Sequence, residues 1–561
     1  MANLDLVIRG GSVVDGTGAE AFQADVGVKD GKIVQLGRIA ERGTREIDAE
    51  GHVVTPGFID GHTHMDAQVF WDQLGSNSCW HGVTTVVMGN CGFSIAPMRR
   101  GRQALVARNL ERAEDISGAA MNAGIDWRWE GFNEYLDVVD SLPKGINYTA
   151  YVGHSALRTW AMGERAFEEN ASEADLELMV GELRRAMDAG AMGLSTSRSE
   201  AHETSDDRPV ASRLADWTEL RALLGTMAGR KGAMFELANE STSREPGLVD
   251  VYYGKLADLS VETGVGVTFG VLGPQWRQQL NALDAAAARG GRMVGQTHSR
   301  GVATLQSFRT TLAFDRLPGW KEFRRQPLEA QIAGLRDPET RRRLVDEAKN
   351  GDYGRSIGAE TRAPDWNNLF LYDRPLPPFR SLAEIAKARG VDPMEAMIDE
   401  ALARDLDVFF IQPITSQDPE IITETMRHPR TVMTFSDSGA HVSQIADASI
   451  HSHLIAYWHR QQQAFTLPQA VQMITSRGAD AWSLTGRGRV REGNVADLNV
   501  FDPATFGPQI PEVAYDLPSG ARRLVQKSTG MKATIVGGEV LIDAGVHTGA
   551  TSGKLLRRLD A

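Results

Sequence analysis

The chain reads as an α/β protein: a distorted TIM (β/α)₈ barrel with a small β-sandwich domain formed from both termini. Three observations predict it. Short apolar runs alternate with helical patterns through the middle of the chain, the pattern of parallel strands joined by crossover helices. Short β segments with tight-turn dipeptides occupy both ends. One stretch, about 305–400, fits no strand–helix unit and reads as an insertion.

The first 54 residues form the first part of the expected β-sandwich. Leu4, Leu6 and Ile8 alternate with other residues, and Asp30-Gly31 between Val28 and Ile33 has the chemistry of a two-residue hairpin turn. The barrel is expected over 55–484. Its apolar runs are 54–64, 83–90, 148–154, 190–197, 232–238, 266–272, 292–299, 407–413 and 431–437. A barrel needs eight, so one must lie outside it. The run at 407–413 is the choice, because it follows the insertion. A structureless loop of that insertion's length is improbable, so it should be partly helical and sit near the barrel mouth. The second part of the sandwich is expected over 485–561. There, 496–503 reads as a strand stopped by proline, and Val536-Gly537-Gly538-Glu539 as another hairpin.

The bulk numbers exclude several function classes. In 561 residues, Lys+Arg 60 against Asp+Glu 73 leaves a net charge of −13. With no basic run, that argues against nucleic acid as a partner. The start, MANLDLVIRGG, lacks a secretory signal, and no run approaches a membrane span. The expected address is the cytoplasm and the expected partner a small-molecule substrate, with homo-oligomerisation left open. Two cysteines, Cys79 and Cys91, permit at most one disulfide, which a reducing compartment disfavours.

The chemistry concentrates in three places. His62 and His64 follow PGFIDG, and alternate residues of a strand point the same way, so both imidazoles face one side at the mouth of a first barrel strand. Cys91, in GNCGFS at the end of the second strand, can approach a metal as thiolate, the alternative being a packed thiol below the mouth. Cys79, in SNSCWHG, has no such placement and reads as structural. Asp437, in FSDSGAH at the end of the last strand, lies across from the histidines; there a carboxylate can carry a proton from a water to a leaving amine. A helix cap or surface position is the bland alternative. The N, S and O donors together point to zinc.

These residues lie in longer motifs: PGFIDGHTHMD, GNCGFSIAP, YVGHSALR, GAMGLSTSR, SDSGAHV and GRGRVREGNVADLNVFDP. In order and over nearly the whole chain, they resemble the N-acyl-D-amino-acid deacylase (D-aminoacylase) branch of the amidohydrolase superfamily. The resemblance implies a metal-bound hydroxide attacking an amide carbonyl, one or two zinc ions, His62, His64, Cys91 and Asp437 as ligands, and Asp437 as general base and acid. The sequence departs from that pattern where the family places histidines, at the ends of the fifth and sixth strands. Those places read Phe235-Glu236-Leu237-Ala238-Asn239-Glu240 and Phe269-Gly270-Val271-Leu272. Glu236 and His298 are the candidates to complete the site or touch substrate.

Around the mouth, His154, Ser195, Ser197 and Arg198 are expected to face substrate. Arg198 can grip a carboxylate bidentately, unless it pairs with Asp206 or Asp207. His202 and His441 are weaker candidates, with His441 placed to orient Asp437. His81, His451, His453 and His459 read as structural. The leading function is hydrolysis of an N-acyl-D-amino acid or related N-acyl compound. The alternatives are another amide, a cyclic amide or a carbamate, then a deaminase, then a catalytically silent binding protein.

Overall fold

The structure is a computed structural model that describes residues 4–245 and 247–558. Both ends of the chain meet in one nine-stranded sheet. Leu4–Val13, Phe22–Lys29, Lys32–Gly37, Gly43–Asp48 and Val53–Pro56 come from the N-terminal side, and Leu498–Phe501, Met531–Val536, Glu539–Asp543 and Val546–His547 from the C-terminal side. The seam is the antiparallel pairing of Val53–Pro56 with Leu498–Phe501. Both expected hairpins form. Asp30 and Gly31 take φ of 49° and 72°, Gly537 and Gly538 54° and 85°. Positive φ at both central residues suits the twist of the flanking strands. Leu6, Ile8, Val26, Val28, Leu498 and Ile535 form the core of this layer.

The middle of the chain builds an eight-stranded parallel sheet. In order around it come Phe58–Asp60, Val83–Met88, Asn147–Gly153, Gly193–Ser197, Met234–Ala238, Gly266–Gly270, Met293–Thr297 and Thr431–Met433. Beyond its two edges, His62–Thr63 pairs in parallel with Phe435–Ser438, which brings the first and last strands together. Helices separate the strands and bury one face. Glu173–Asp188 starts at a capping box made by Ser172 and Asp175 and turns Met179, Leu183, Ala186 and Met187 inward. Val83–Met88 is buried throughout, as a strand covered on both sides must be.

The run at 54–64 is not one strand, as its apolar pattern predicts, but three. Val53–Pro56 belongs to the terminal sheet, Phe58–Asp60 to the parallel sheet, and His62–Thr63 to the closing pair. Gly61 makes the break possible: the Trp482 ring occupies the space where a Cβ would stand, and the Gly61 N–H donates to Thr434 Oγ1.

The run at 407–413 lies outside the parallel sheet. Phe409–Pro413 joins Ala303–Gln306, Phe370–Tyr372 and Arg380–Ser381 in a separate four-stranded sheet. The rest of the 305–400 stretch holds the helices Pro318–Arg324, Leu328–Arg336, Pro338–Asn350, Leu382–Arg389 and the start of Pro393–Leu402. It packs a core of its own, including Phe314, Trp320, Leu344, Leu371, Met397 and Phe410. Among the described residues, no helix is long and apolar enough to cross a membrane.

Candidate metal centre

His62 lies in the short closing strand and His64 just past it, where the His64 N–H donates to Ser438 O at 2.8 Å. Donor atoms of His62, His64 and Cys91 all fall within 4.8 Å of one another, and the three side chains are buried. His62 Nε2 is 3.4 Å from Cys91 Sγ and 3.2 Å from Asp437 Oδ1; His64 Nε2 is 3.5 Å from the same oxygen. Hydrogen bonds between charged groups are shorter, about 2.7–2.9 Å. Donors around one tetrahedral zinc, at about 2.0–2.3 Å from the ion, stand roughly 3.3–3.7 Å apart. The His62, His64 and Cys91 donors are spaced as ligands of one ion would be, and Asp437 stands within pairing distance of both imidazoles. The fit has a second support: His64 Nδ1 and Glu236 Oε1 are buried without hydrogen-bond partners.

Strained backbone aims the ligands. Cys91 and Asp437 both take left-handed φ, 54° and 52°, as does His441 at 47°. Non-glycine residues there cost on the order of 1–3 kcal/mol each, and such outliers cluster at functional sites. The Cys91 loop is held from three sides. Its N–H donates to Glu236 Oε2 at 2.6 Å, the Gly92 N–H to Ser195 Oγ at 3.0 Å, and the Asn90 amide to Thr63 O at 3.0 Å. Gly92 has φ of 78°, and a Cβ there would meet Ser197 N at 2.8 Å. His62 is fixed by Gln296, whose Oε1 is 2.6 Å from Nδ1, and by Phe435 stacked 3.9 Å away.

The site gathers negative charge out of water. Burial pushes the Glu236 and Asp60 carboxyls up to about 7. Burial, then the neighbouring carboxylates, push the Glu114 carboxyl and the Cys91 thiol well above their ordinary values. Burial would raise Asp437 too, but hydrogen bonds and charge from His62 and His64 hold it well below the usual carboxylate range. Burial opposes protonation of His62, yet Asp437, Glu236 and Gln296 outweigh it and leave its pKa raised. His64, where burial dominates, falls to about 4. A divalent cation at this point would relieve the crowding of acids and favour the thiolate.

The other expected residues divide. Glu236 reaches the centre, its Oε1 being 3.7 Å from His62 Nδ1, and it holds the Cys91 loop rather than an arginine. Ser195 Oγ donates to Gly89 O beneath that loop. His154 uses Nδ1 toward Thr196 Oγ1 at 2.9 Å and Nε2 toward Glu219 Oε1 at 2.7 Å, and Arg158 pairs with the same glutamate. His298 Nε2 is 3.0 Å from Asp447, which also binds Arg300. Arg198 pairs with Glu240 at 3.1 Å and lies over the Trp217 ring; Asp206 and Asp207 pair instead with Arg208 and Arg112. His202 Nδ1 is 2.6 Å from Ser197 Oγ. Sequence reading missed Glu114, whose carboxylate stands 3.6 Å from His64 Nε2. It misplaced His441, which faces Glu114 at 3.7 Å instead of hydrogen-bonding Asp437.

A cavity of about 870 Å³ lies between the insertion and the barrel rim, lined by Arg300, Arg362, Phe379, Gln412, His453 and Tyr457 among others. None of the cluster residues lines it, whereas a pocket of only about 30 Å³ touches Asp437. Chemistry, not volume, marks the candidate centre.

Comparison with known proteins bears on the family and the fold. The sequence profile of the amidohydrolase family matches residues 45–542. An N-acyl-D-aspartate deacylase of Alcaligenes xylosoxydans xylosoxydans is 28% identical over 555 residues, covering 98% of this chain and 94% of its own. A D-aminoacylase structure, described for its binuclear metal centre, superimposes with a TM-score of 0.66 at 23% identity, over 99% of this chain and all of its own. The N-acyl-D-glutamate deacylase of Bordetella bronchiseptica, solved with zinc and a phosphonate that mimics the tetrahedral intermediate, gives 0.65 at 23% identity over 99% of both chains. At that identity the two structures establish the fold.

Proposed function

The chain belongs to the amidohydrolase family, and on that premise we propose that it hydrolyses the amide C–N bond of an N-acyl-D-amino acid or a related N-acyl compound. The observation that carries this reading is the buried cluster of His62, His64 and Cys91 with donor atoms within 4.8 Å of one another, and Asp437 Oδ1 3.2 and 3.5 Å from the two imidazoles. The named deacylase relatives supply the substrate class.

Zinc held by these four residues would lower the pKa of a water molecule and polarise the amide carbonyl. The rest falls to the chain. Asp437 is kept ionised by His62 and His64, so Oδ1 or its partner oxygen can accept a proton from the attacking water. The same carboxyl then delivers that proton to the amide nitrogen as the C–N bond breaks, which releases a neutral amine. Arg198, still partly exposed beside Glu240, is our choice to bind the substrate carboxylate. Glu236 and Ser195 hold the Cys91 loop. We assign His154 and His298 to positioning rather than the substrate contact their sequence places suggest, because Glu219 and Asp447 occupy them.

In this reading residues 55–484 form the distorted (β/α)₈ barrel, and 1–54 with 485–561 form the β-sandwich. Support comes from the His62–Thr63 and Phe435–Ser438 pair and from the shared terminal sheet.

The test is amine release from paired N-acyl-D- and N-acyl-L-amino acids by chelator-stripped protein before and after zinc is restored. Zinc-dependent release that favours the D series supports the proposal. Zinc-dependent turnover confined to cyclic amides, carbamates or amino-purines would replace it, and no turnover with any amide would refute it.

A further inference from the structure

The cavity between the insertion and the barrel rim has no part in the reading above. At about 870 Å³ it falls within the range of small-molecule sites, roughly 300–1,000 Å³. Four aromatic side chains, Phe370, Phe379, Tyr457 and Trp458, line it together with Ile411. Phe370 and Ile411 are cross-strand partners in the four-stranded sheet, and Tyr457 and Trp458 follow one another on the helix Leu454–Gln461. Contacts hold these walls in place. Trp458 Nε1 donates to Ser299 O, and the Tyr457 ring stacks on His453 with centroids 5.2 Å apart.

Two arginines reach the cavity, and their situations differ. Arg300 is spent on Asp447, donating to Oδ1 through Nε at 3.2 Å and Nη2 at 2.5 Å. Arg362 has no carboxylate partner among the described residues. Its Nη2 donates to Gly358 O at 2.8 Å, and its Nε is buried without a partner. Glu360, two residues away, is already shared by Arg112 and Arg316. Burial lowers the Arg362 pKa, and the charge of Glu360 opposes this only in part. Asp365, the acid on the cavity wall, is exposed and accepts from Asn367 N–H at 3.2 Å and Asn368 Nδ2 at 2.7 Å. His453 adds no charge, because burial, then Arg300 and His298, hold its pKa well below the ordinary value. A half-buried cation without a counter-ion, set among aromatic walls, favours an anion with an apolar body.

We propose that this cavity is a second small-molecule site, separate from the metal centre, that takes an arylalkyl carboxylate: the carboxylate pairs with the Arg362 guanidinium and the ring packs among Phe370, Phe379 and Tyr457. A planar guanidinium suits a carboxylate, and the rings of the wall offer faces and edges for offset or edge-on packing. The site stands apart from the hydrolytic one, since none of His62, His64, Cys91, Asp437 or Arg198 lines it. It therefore does not depend on the substrate assigned to the metal centre.

The probe is 4-phenylbutyrate, which carries the carboxylate and the ring but no amide, with 4-phenylbutanol as its neutral match. Titration calorimetry follows both on chelator-stripped full-length protein, so that zinc cannot hold the carboxylate. Wild type should bind one equivalent of the carboxylate and hold the alcohol at least about 10-fold more weakly. Arg362→Gln should weaken the carboxylate by about 10–100-fold, the scale of a lost charged hydrogen bond, and leave the alcohol unchanged. Ala363 is exposed and lines the cavity, so Ala363→Trp, checked for fold by circular dichroism, should block both probes. No binding of the carboxylate to stripped wild type, or binding seen only once zinc is restored, overturns the site. Arg362→Gln that holds the carboxylate as tightly as wild type overturns it, as does equal loss of both probes in that variant. A folded Ala363→Trp that loses neither probe overturns it as well.

Discussion

Replacing Cys91 by alanine separates a metal ligand from a packed thiol, and Cys79→Ala is its control. The Cys91 thiol lies 3.4 Å from His62 Nε2, while its backbone N–H is tied to Glu236. Alanine keeps that backbone bond and removes only the sulfur. Structural zinc sites bind with roughly 10–16 kcal/mol over four donors, or about 2.5–4 kcal/mol each. Water can replace part of the lost bond, so zinc affinity should fall on the order of 10²-fold. Cys79 is also buried, but its sulfur faces His547 Nε2 at 3.6 Å, away from the cluster. Its alanine variant should cost stability of about 1 kcal/mol, an average core change, and leave zinc affinity unchanged. Competition with a chromophoric chelator measures both. Equal affinity in the two variants would refute the assignment of Cys91, as would a larger loss in Cys79→Ala.

Two further outcomes follow from side chains around the centre. Burial favours the neutral form of Glu219, but His154 and Arg158 hold its carboxyl at about 2 against an ordinary 4.5. The folded state therefore binds fewer protons than the unfolded one, so the stabilisation is full above the unfolded value and is lost as pH falls toward 2. A shift of that size is worth about 3 kcal/mol. His154, held below its ordinary value mainly by burial, acts in the same direction. Urea unfolding across this acid range should show the loss, and Glu219→Gln should flatten it while lowering stability at neutral pH, since Arg158 is left buried without its carboxylate. Arg198→Ala should raise KM for an N-acyl-amino acid by about 10–100-fold, the scale of a lost charged hydrogen bond, with kcat little changed. A kcat loss with KM unchanged would move Arg198 out of the carboxylate site.

The parts of this centre that were legible in the sequence share one property: they sit at strand ends beside apolar runs that fix their direction. His62, His64, Cys91 and Asp437 could be placed that way, and the Asp30-Gly31 and Gly537-Gly538 turns declare themselves through residues that tolerate positive φ. Glu114 could not be placed. It lies in ERAEDIS, which reads as the charged tail of a solvated helix, and it is aimed by bonds to residues more than 300 positions away. His441 misled for a related reason. A spacing of four from Asp437 suggests contact, but the left-handed turn at both residues sends the ring to Glu114 instead. The three-way split of the first strand was hidden as well, because it depends on Trp482 packing against Gly61 from the far end of the chain.

The most direct test of the hydrolytic centre is Asp437→Asn, assayed for turnover of an N-acyl-D-amino acid with zinc content measured in the same sample. Asparagine fills the same space but cannot take up the proton. If Asp437 moves the proton from water to the leaving amine, kcat per bound zinc should drop by about 10²-fold or more with KM little changed; because Asp437 is also a ligand, the comparison is made at saturating zinc and matched metal content. An Asn variant that keeps its zinc and a near-normal kcat would contradict the account and pass the role of base to another carboxylate, with Glu236 the first to examine.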